Sequence, residues 1–548
     1  MSISSDEINY LIYRYLQENG FTHTAFSFAY ESMVTKSSVS QSEIPPGALI
    51  TFLQKGLEYI SIEEHICEDG SVREFEKDYS LLSPFVCDAV ALKEDRKPRK
   101  ISSSSSLRES SEKSVSGMEL ANGGGEDVAK NGTNADGSIT NIPATITIRA
   151  EGDTKWMQLQ GHQGEVFMCV WNPKQLQLAS GSADGVCRIW GPWDLSKTLQ
   201  LDAPNTSISL DPSNEDTPVR TAVLPHNKFV GERFKDVTSV TWSPDGKLLA
   251  TGCYDGIARI WDDKGNVVKT LEEHTGPVFS LKWNQGGDLI LSGSYDKRAL
   301  VWDATTGSVL KTFALHSAPV LDVDWKDSNT FATCSSDKTI YLCEVTSSDP
   351  TTPTHTFTGH TDEVNAICWS PCGRYIASCS DDNTAKIWST NDEHNLNGMK
   401  GLKLDLVGHT KEIYTTRWTP TGQGSINPDL PLRLCTASFD GTVRIWNAED
   451  GICVFTLRRQ PQPVYSISPN PSGTMIATGS LGGYVSVFSL EDGSLIREIR
   501  GSGDTFDVAW SHDGSKMSCC FSSGALHVVD RQLMVTETTE SKSMATSE

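Results

Sequence analysis

From about Lys155 onward the chain alternates apolar and polar positions in short runs, and each run ends at a turn signal. The unit is clearest between His274 and Asp303. Val278, Ser280 and Lys282 alternate with Phe279, Leu281 and Trp283, then Gly286-Gly287-Asp288 interrupts and Leu289 to Ser292 resumes. Ser294-Tyr295-Asp296-Lys297 turns the chain into Ala299 to Trp302. A period of two broken by Gly and Asp predicts strand, turn, strand, tight turn, strand. One such unit cannot bury both faces of its small sheet, so it needs copies of itself.

Aligning on the Trp that ends the first strand, or its replacement, gives eight copies. The position nine residues earlier reads His162, Arg233, His274, His316, His360, His409, Gln460 and Gly501. Third strands end at Trp190, Trp261, Trp302, Cys343, Trp388, Trp446, Phe488 and Val529, and six residues before these lie Asp184, Asp255, Asp296, Asp337, Asp382, Asp440, Gly482 and Ser523. Most intervals are about 41 to 51 residues, the length of one propeller blade. The first is longer, because a Pro- and Asp-containing loop is expected from Gly191 to Glu232. Blades two, seven and eight lack the His, and seven and eight also lack the Asp. The pattern resembles the WD40 repeat, which implies a mainly β fold, an eight-bladed β-propeller over residues 154–531. The last blade lacks a fourth strand. Lys155 to Gln160 can supply it, closing the ring and covering the sheet edges.

His162, Ser180, Asp184 and Trp190 invite comparison with a hydrolase triad. The same set returns as His274, Ser292, Asp296 and Trp302; as His360, Ser378, Asp382 and Trp388; and as His409, Thr436, Asp440 and Trp446. An enzyme needs one triad, whereas a hydrogen-bonded scaffold recurs in every blade. The chain also has no GxxxxGK[ST] and no HExxH, so neither an enzyme nor a bound cofactor or metal is expected.

Partner contacts are expected on the face made by the loops leading into each first strand and the turns after each second strand. Three positions per blade point there. Three residues after the His come the carboxylates Glu165, Asp236, Glu363, Glu412 and Asp504, with Pro in the other blades. Two residues further lie Phe167, Phe279, Tyr414, Tyr465 and Phe506; before the turn Asp lie Tyr254, Tyr295, Asp381 and Phe439. An acidic, π-rich rim suits a cationic peptide, with charge steering its approach and aromatic faces receiving Lys or Arg. The alternative is that the aromatics pack neighbouring loops.

Ahead of the repeats the period changes to that of helices. Ser4-x-x-Glu7 can cap a helix carrying Ile8, Leu11, Ile12, Tyr15 and Leu16 on one face, stopped by Asn19-Gly20. A second helix from Thr22 carries Ala25, Phe26 and Ala29. Two helices leave an apolar stripe uncovered, and oligomerisation is a usual remedy. Leu11, Tyr15, Leu16, Gly20-Phe21 and Ala25-Phe26 resemble a LisH motif, a dimerising hairpin, here residues 4–36. The string PPGALITFLQKGLEYISIEEHI, within residues 45–90, resembles the F-box-like segment of transducin β-like corepressor subunits, where it follows a LisH motif directly. Residues 91–153 are rich in Ser, Gly and Asn and are expected to be a disordered linker. Within it Lys93, Arg96, Lys97, Arg99 and Lys100 form a basic cluster suited to a nuclear localisation signal. Residues 532–548 form a polar tail.

Composition narrows the partners. The net charge of −23 argues against nucleic acid as the main direct partner and suits a cationic one, solubility alone being the alternative. No apolar run is long enough to span a membrane and no signal peptide opens the chain, so an intracellular protein is expected. The fourteen cysteines include no CxxC pair and read as buried reduced thiols. Trp261-Asp262-Asp263-Lys264 resembles the motif by which some propellers dock on a cullin ligase adaptor through residues placed like Trp261, Asp262 and Lys264.

The order LisH, F-box-like segment, basic linker and eight blades resembles transducin β-like corepressor subunits, as a plant or otherwise divergent member. The resemblance implies a nuclear scaffold that self-associates through Ile8, Leu11, Ile12, Tyr15, Leu16, Phe21, Ala25 and Phe26, as a dimer or tetramer. It also implies docking of corepressor scaffold peptides, recruitment of a histone deacetylase complex and propeller contacts with histone tails. A cullin ligase substrate receptor and a cytoplasmic trafficking or cytoskeletal LisH–WD40 scaffold are the alternatives.

Overall fold

The structure is a computed structural model that describes residues 5–18, 49, 55, 144–151, 154–193, 207–210, 219–226, 235–390, 395–396, 398–459 and 461–531. The chain forms two compact units, Met1–Gly124 and Gly125–Glu548.

In the first unit, a helix covers Ser5–Glu18, and Ser4 and Asn19-Gly20, the expected capping residues, lie outside the described residues. Ile8 is 45% exposed, Leu11, Ile12, Tyr15 and Leu16 are half-buried, and Tyr10 is buried. Phe21, Ala25, Phe26, the basic cluster at Lys93 to Lys100 and the 532–548 tail lie outside the described residues; of the F-box-like segment, residues 49 and 55 are described and helical.

The second unit is an eight-bladed β-propeller. Seven blades are four-stranded antiparallel sheets; the third, for example, pairs Val278–Trp283, Leu289–Ser294, Ala299–Asp303 and Val309–Phe313 in order. Alternation is visible in the burial: Val278 and Leu281 are buried while Phe279 and Lys282 are half-exposed. Second strands run buried on both faces because blades pack against each other on either side. At Gly293 a Cβ would approach Val320 of the next blade to 2.8 Å, so only glycine lets these sheets come so close. Indole N–H groups of the repeat tryptophans staple blades together: Trp283 donates to the Thr241 carbonyl at 3.2 Å, Trp325 to Lys282 at 3.0 Å and Trp418 to Cys368 at 3.0 Å.

The eighth blade closes the ring. Its chain-terminal strands Thr505–Trp510, Lys516–Phe521 and Leu526–Asp530 take Thr154–Gln160 as a fourth, with Met157 opposite Val528 and Leu159 opposite Leu526. The sheet then continues further than the sequence pattern implied. Ala144–Glu151 pairs with Thr154–Gln160, and Ser207–Leu210 pairs with Ala144–Glu151, giving six strands. The expectation of a disordered linker through residue 153 is therefore corrected, and the propeller begins at 144, not 154. ATITIRAE itself alternates, and it buries Ala144, Ile146 and Ile148. The expected loop from Gly191 to Glu232 is likewise corrected. It holds Ser207–Leu210 and also Val219–Pro225, the outer strand of the first blade.

Candidate peptide-binding face

The repeated His, Ser/Thr, Asp and Trp form hydrogen-bonded chains. In the fifth blade His360 Nδ1 meets Asp382 Oδ2 at 2.8 Å, Nε2 meets Ser378 Oγ at 2.7 Å, and the Trp388 indole donates to that oxygen at 2.8 Å. A carboxylate only accepts, so Nδ1 carries the proton and Nε2 accepts from the hydroxyl. The chains at His162–Ser180–Trp190, His274–Ser292–Trp302 and His409–Thr436–Trp446 repeat this geometry within 0.3 Å. Asp296, Asp382 and Asp440 are held far below the ordinary carboxylate range, burial opposing and the His contact prevailing. Each hydroxyl is fully buried, so none faces a substrate.

The second blade does not lack its His. Arg233 stands at the aligned position, but His226 takes the role from further upstream. Its Nε2 lies 2.7 Å from Thr251 Oγ1, which accepts the Trp261 indole at 2.8 Å. Nδ1 donates to the Leu224 carbonyl at 3.1 Å, leaving Asp255 to pair with Lys235 and Arg259. The outer strand Val219–Pro225 delivers His226 there, a placement that fixed spacing could not show. Burial lowers its pKa to about 3.

The three rim positions are built by one device in all eight blades. The N–H of the residue before the turn Asp donates to the carbonyl of the first rim position, as in Asp381 to Glu363 at 3.0 Å, Phe439 to Glu412 at 3.0 Å, Tyr295 to Pro277 at 2.9 Å and Ser522 to Asp504 at 2.9 Å. The second rim position is the extra residue of a β-bulge in every blade, Phe167, Thr238, Phe279, Leu321, Asn365, Tyr414, Tyr465 and Phe506. A bulge re-aims its side chain out of the strand alternation.

Phe439 and Tyr414 stack at 5.9 Å, Tyr414 and Tyr465 at 4.1 Å, Tyr465 meets Phe506 edge-on at 5.9 Å, and Phe506 meets Phe167 at 5.7 Å. The Tyr465 hydroxyl donates to that of Tyr414 at 2.6 Å. This continuous arc spans blades six, seven, eight and one. Phe279 and Tyr295 form a separate edge-on pair at 6.3 Å, with Tyr295 42% exposed. Tyr254 lies near Asp236 and Tyr295, and burial followed by their influence raises its pKa.

Carboxylates gather beside the arc at blades five and six. Asp381 accepts from Asn365 Nδ2 at 2.6 Å, and Glu363 accepts from Ser336 Oγ at 3.1 Å. Burial pushes Asp381 up to about 6 against that hydrogen bond, with Glu363 and Glu412 adding like-charge repulsion. Burial also raises Glu363 and Asp236. Glu165 is exposed, whereas Asp504 is turned inward to accept the Gly482 N–H at 2.6 Å. Two lysines that the sequence reading passed over, Lys297 and Lys338, occupy left-handed conformations with φ of 71° and 72° in turns where other blades use Gly. Lys338 donates to the Thr361 carbonyl at 2.7 Å and stands 3.7 Å from Asp362.

At the adaptor-like motif, Trp261 is buried, and Asp262 accepts the N–H groups of Lys264 and Asn266 at 3.0 and 2.8 Å, closing a turn that leaves Lys264 exposed.

Comparison with known proteins places the chain. The model of the WD domain, G-beta repeat, matches residues 154–191, 225–262, 265–303, 307–344, 351–389, 401–447 and 451–489, and the LisH model matches 6–32. The human F-box-like/WD repeat-containing protein TBL1Y is 39% identical over 97% of this chain and all of its own length. The chain belongs to the transducin β-like family. Another relative, the Arabidopsis thaliana WD40 repeat-containing protein HOS15, is 34% identical over 96% of this chain and 99% of its own. The crystal structure of the C-terminal WD40 domain of Sif2 covers 67% of this chain and 96% of that domain with a TM-score of 0.54; at 24% identity it supports the fold. Membership in the transducin β-like family makes this a scaffold of LisH and WD40 parts. The eighth blade, whose three chain-terminal strands the repeat model does not match, is the one assembled from both ends of the propeller sequence.

Proposed function

We propose that this protein is a non-enzymatic nuclear corepressor scaffold that recruits a histone deacetylase complex to chromatin, with the bulged propeller face binding basic histone-tail peptides. The observation that carries the peptide reading is the pairing of the Glu363, Asp381 and Glu412 carboxylates with the Phe439–Tyr414–Tyr465–Phe506–Phe167 arc. Partly buried carboxylates that repel one another gain from a cation between them, and aromatic faces receive the aliphatic stem and charge of Lys or Arg. The relative set supports a corepressor setting, including a yeast protein named SIR4-interacting protein SIF2, 24% identical over 95% of this chain. Self-association through the LisH helix would multiply weak propeller contacts along one chromatin segment. Direct sequence-specific DNA binding and membrane insertion are no part of this reading.

A second reading, substrate receptor of a cullin ligase, rests on the exposed Lys264 turn. Affinity purification of the tagged full-length chain from nuclei separates the two. A stoichiometric histone deacetylase supports the first reading, and a cullin adaptor without a deacetylase replaces it by the second. A fusion confined to the cytoplasm contradicts both in favour of a trafficking or cytoskeletal scaffold.

A further inference from the structure

Cys169 lies in the first strand of blade one, and Asp507 and Cys520 lie in the first two strands of blade eight, at the seam where the ring closes. No sequence spacing joins them, since Cys169 and Asp507 are 338 residues apart. The fold nevertheless brings two Sγ atoms and a carboxylate oxygen to within 4.8 Å of one another. Asp507 and Cys169 are held by hydrogen bonds. The Cys169 N–H donates to Asp507 Oδ2 at 3.0 Å, and Asp507 Oδ1 accepts from Ser466 Oγ at 2.7 Å and from the Val508 N–H at 2.9 Å. Ser518 Oγ stands 3.1 Å from Cys169 Sγ, a fourth donor atom at the cluster. Both cysteines are buried, and among the described residues Asp507 forms no ion pair. A half-buried carboxylate beside two buried thiols, with no ion-pair partner and only the field of Arg417 acting on it, is the donor set of a thiophilic divalent ion.

The geometry points to a binding site at this seam for one divalent cation of the zinc class, ligated by Cys169 Sγ, Cys520 Sγ and an Asp507 oxygen, with Ser518 Oγ or water in the fourth place. Tetrahedral thiolate ligation at about 2.3 Å sets sulfurs about 3.8 Å apart, so closing the cluster takes a contraction of at most about 1 Å. Asp507 Oδ2 accepts one hydrogen bond and has a second lone pair for the ion, while Oδ1 keeps both of its own. Binding releases the two thiol protons to solvent. The ion would join the first blade to the last, adding a covalent-like tie to a seam otherwise held by apolar packing and hydrogen bonds.

The test is a titration of the reduced full-length chain with Co²⁺, followed by Zn²⁺. The expected result is a near-ultraviolet thiolate-to-cobalt band saturating at one equivalent, release of two protons per ion, and loss of the band on adding Zn²⁺. Cys169→Ser and Cys520→Ser should each remove the band, and Cys372→Ser, at a half-buried thiol in blade five, should keep it. Folded wild-type protein without a thiolate band overturns the proposal whatever the variants do, and so does a band that survives both seam substitutions.

Discussion

Ser378→Ala is the sharpest probe of the repeated His-containing chains. The hydroxyl is fully buried, gives its proton to His360 Nε2 at 2.7 Å and accepts the Trp388 indole at 2.8 Å. Deleting it strands an acceptor and a donor in the interior at once. Each unsatisfied buried group costs about 1–3 kcal/mol, so the variant should lose about 2–5 kcal/mol after partial relaxation. Ser378→Thr retains the hydroxyl, and blades two, four and six already use Thr251, Thr333 and Thr436 in this place, so it should recover most of the loss. Urea unfolding of the three proteins, followed by Trp fluorescence, reads the difference, and hydrogen exchange at Tyr375–Ser380 places it in blade five. A Ser378→Ala protein within about 0.5 kcal/mol of wild type would refute the reasoning, because a hydroxyl kept for catalysis, not for scaffolding, can be deleted without loss of stability.

Other outcomes follow from the same contacts. His226 stays neutral in the fold down to about pH 3 while the unfolded chain takes a proton below about 6.5, so unfolding gains protons between those values and stability falls as pH drops through that window. Stability curves of wild type and His226→Gln should diverge there by about 1.4 kcal/mol per pH unit, and parallel curves would contradict the assignment. Asp381 must ionise to hold a cation, so basic-peptide affinity should rise as pH passes upward through about 6; Glu363→Gln, which removes like charge, should shift that rise to lower pH in a fluorescence-anisotropy titration. Leu159→Asp puts a charge on the closing strand opposite Leu526 and should lower the melting temperature of the whole ring by several degrees, read by calorimetry.

Much of this fold was legible because a repeat states its own register. Seven units anchored on Trp and one on Pro469 mark the blades, and the recurrence of His, Ser and Asp reads as scaffold, not as a single triad. What spacing could not show is what the chain reaches by detour. His226 sits outside the nine-residue interval because an added outer strand, not the preceding loop, delivers it. Ala144–Glu151 was hidden by the polar composition of the window around it, although its own alternation is that of a strand. The rim positions were readable from register, and the bulges that re-aim their side chains appear only once strands are paired. Asp504 keeps the rim register yet commits an oxygen to the Gly482 N–H. The Cys169–Asp507–Cys520 cluster lies across the ring closure, where linear distance carries no information.

On the proposed function this face holds basic peptides by charge, and one pair of affinities tests that directly. Affinity of a labelled Lys- and Arg-rich histone-tail peptide would be measured by anisotropy for wild type and for the triple variant Glu165→Lys, Glu363→Lys, Glu412→Lys, both checked for native circular dichroism. Reversing three carboxylates should weaken binding by about tenfold or more at physiological salt, with a larger gap at low salt. A folded triple variant that binds the peptide as tightly as wild type at both salt concentrations would contradict the account.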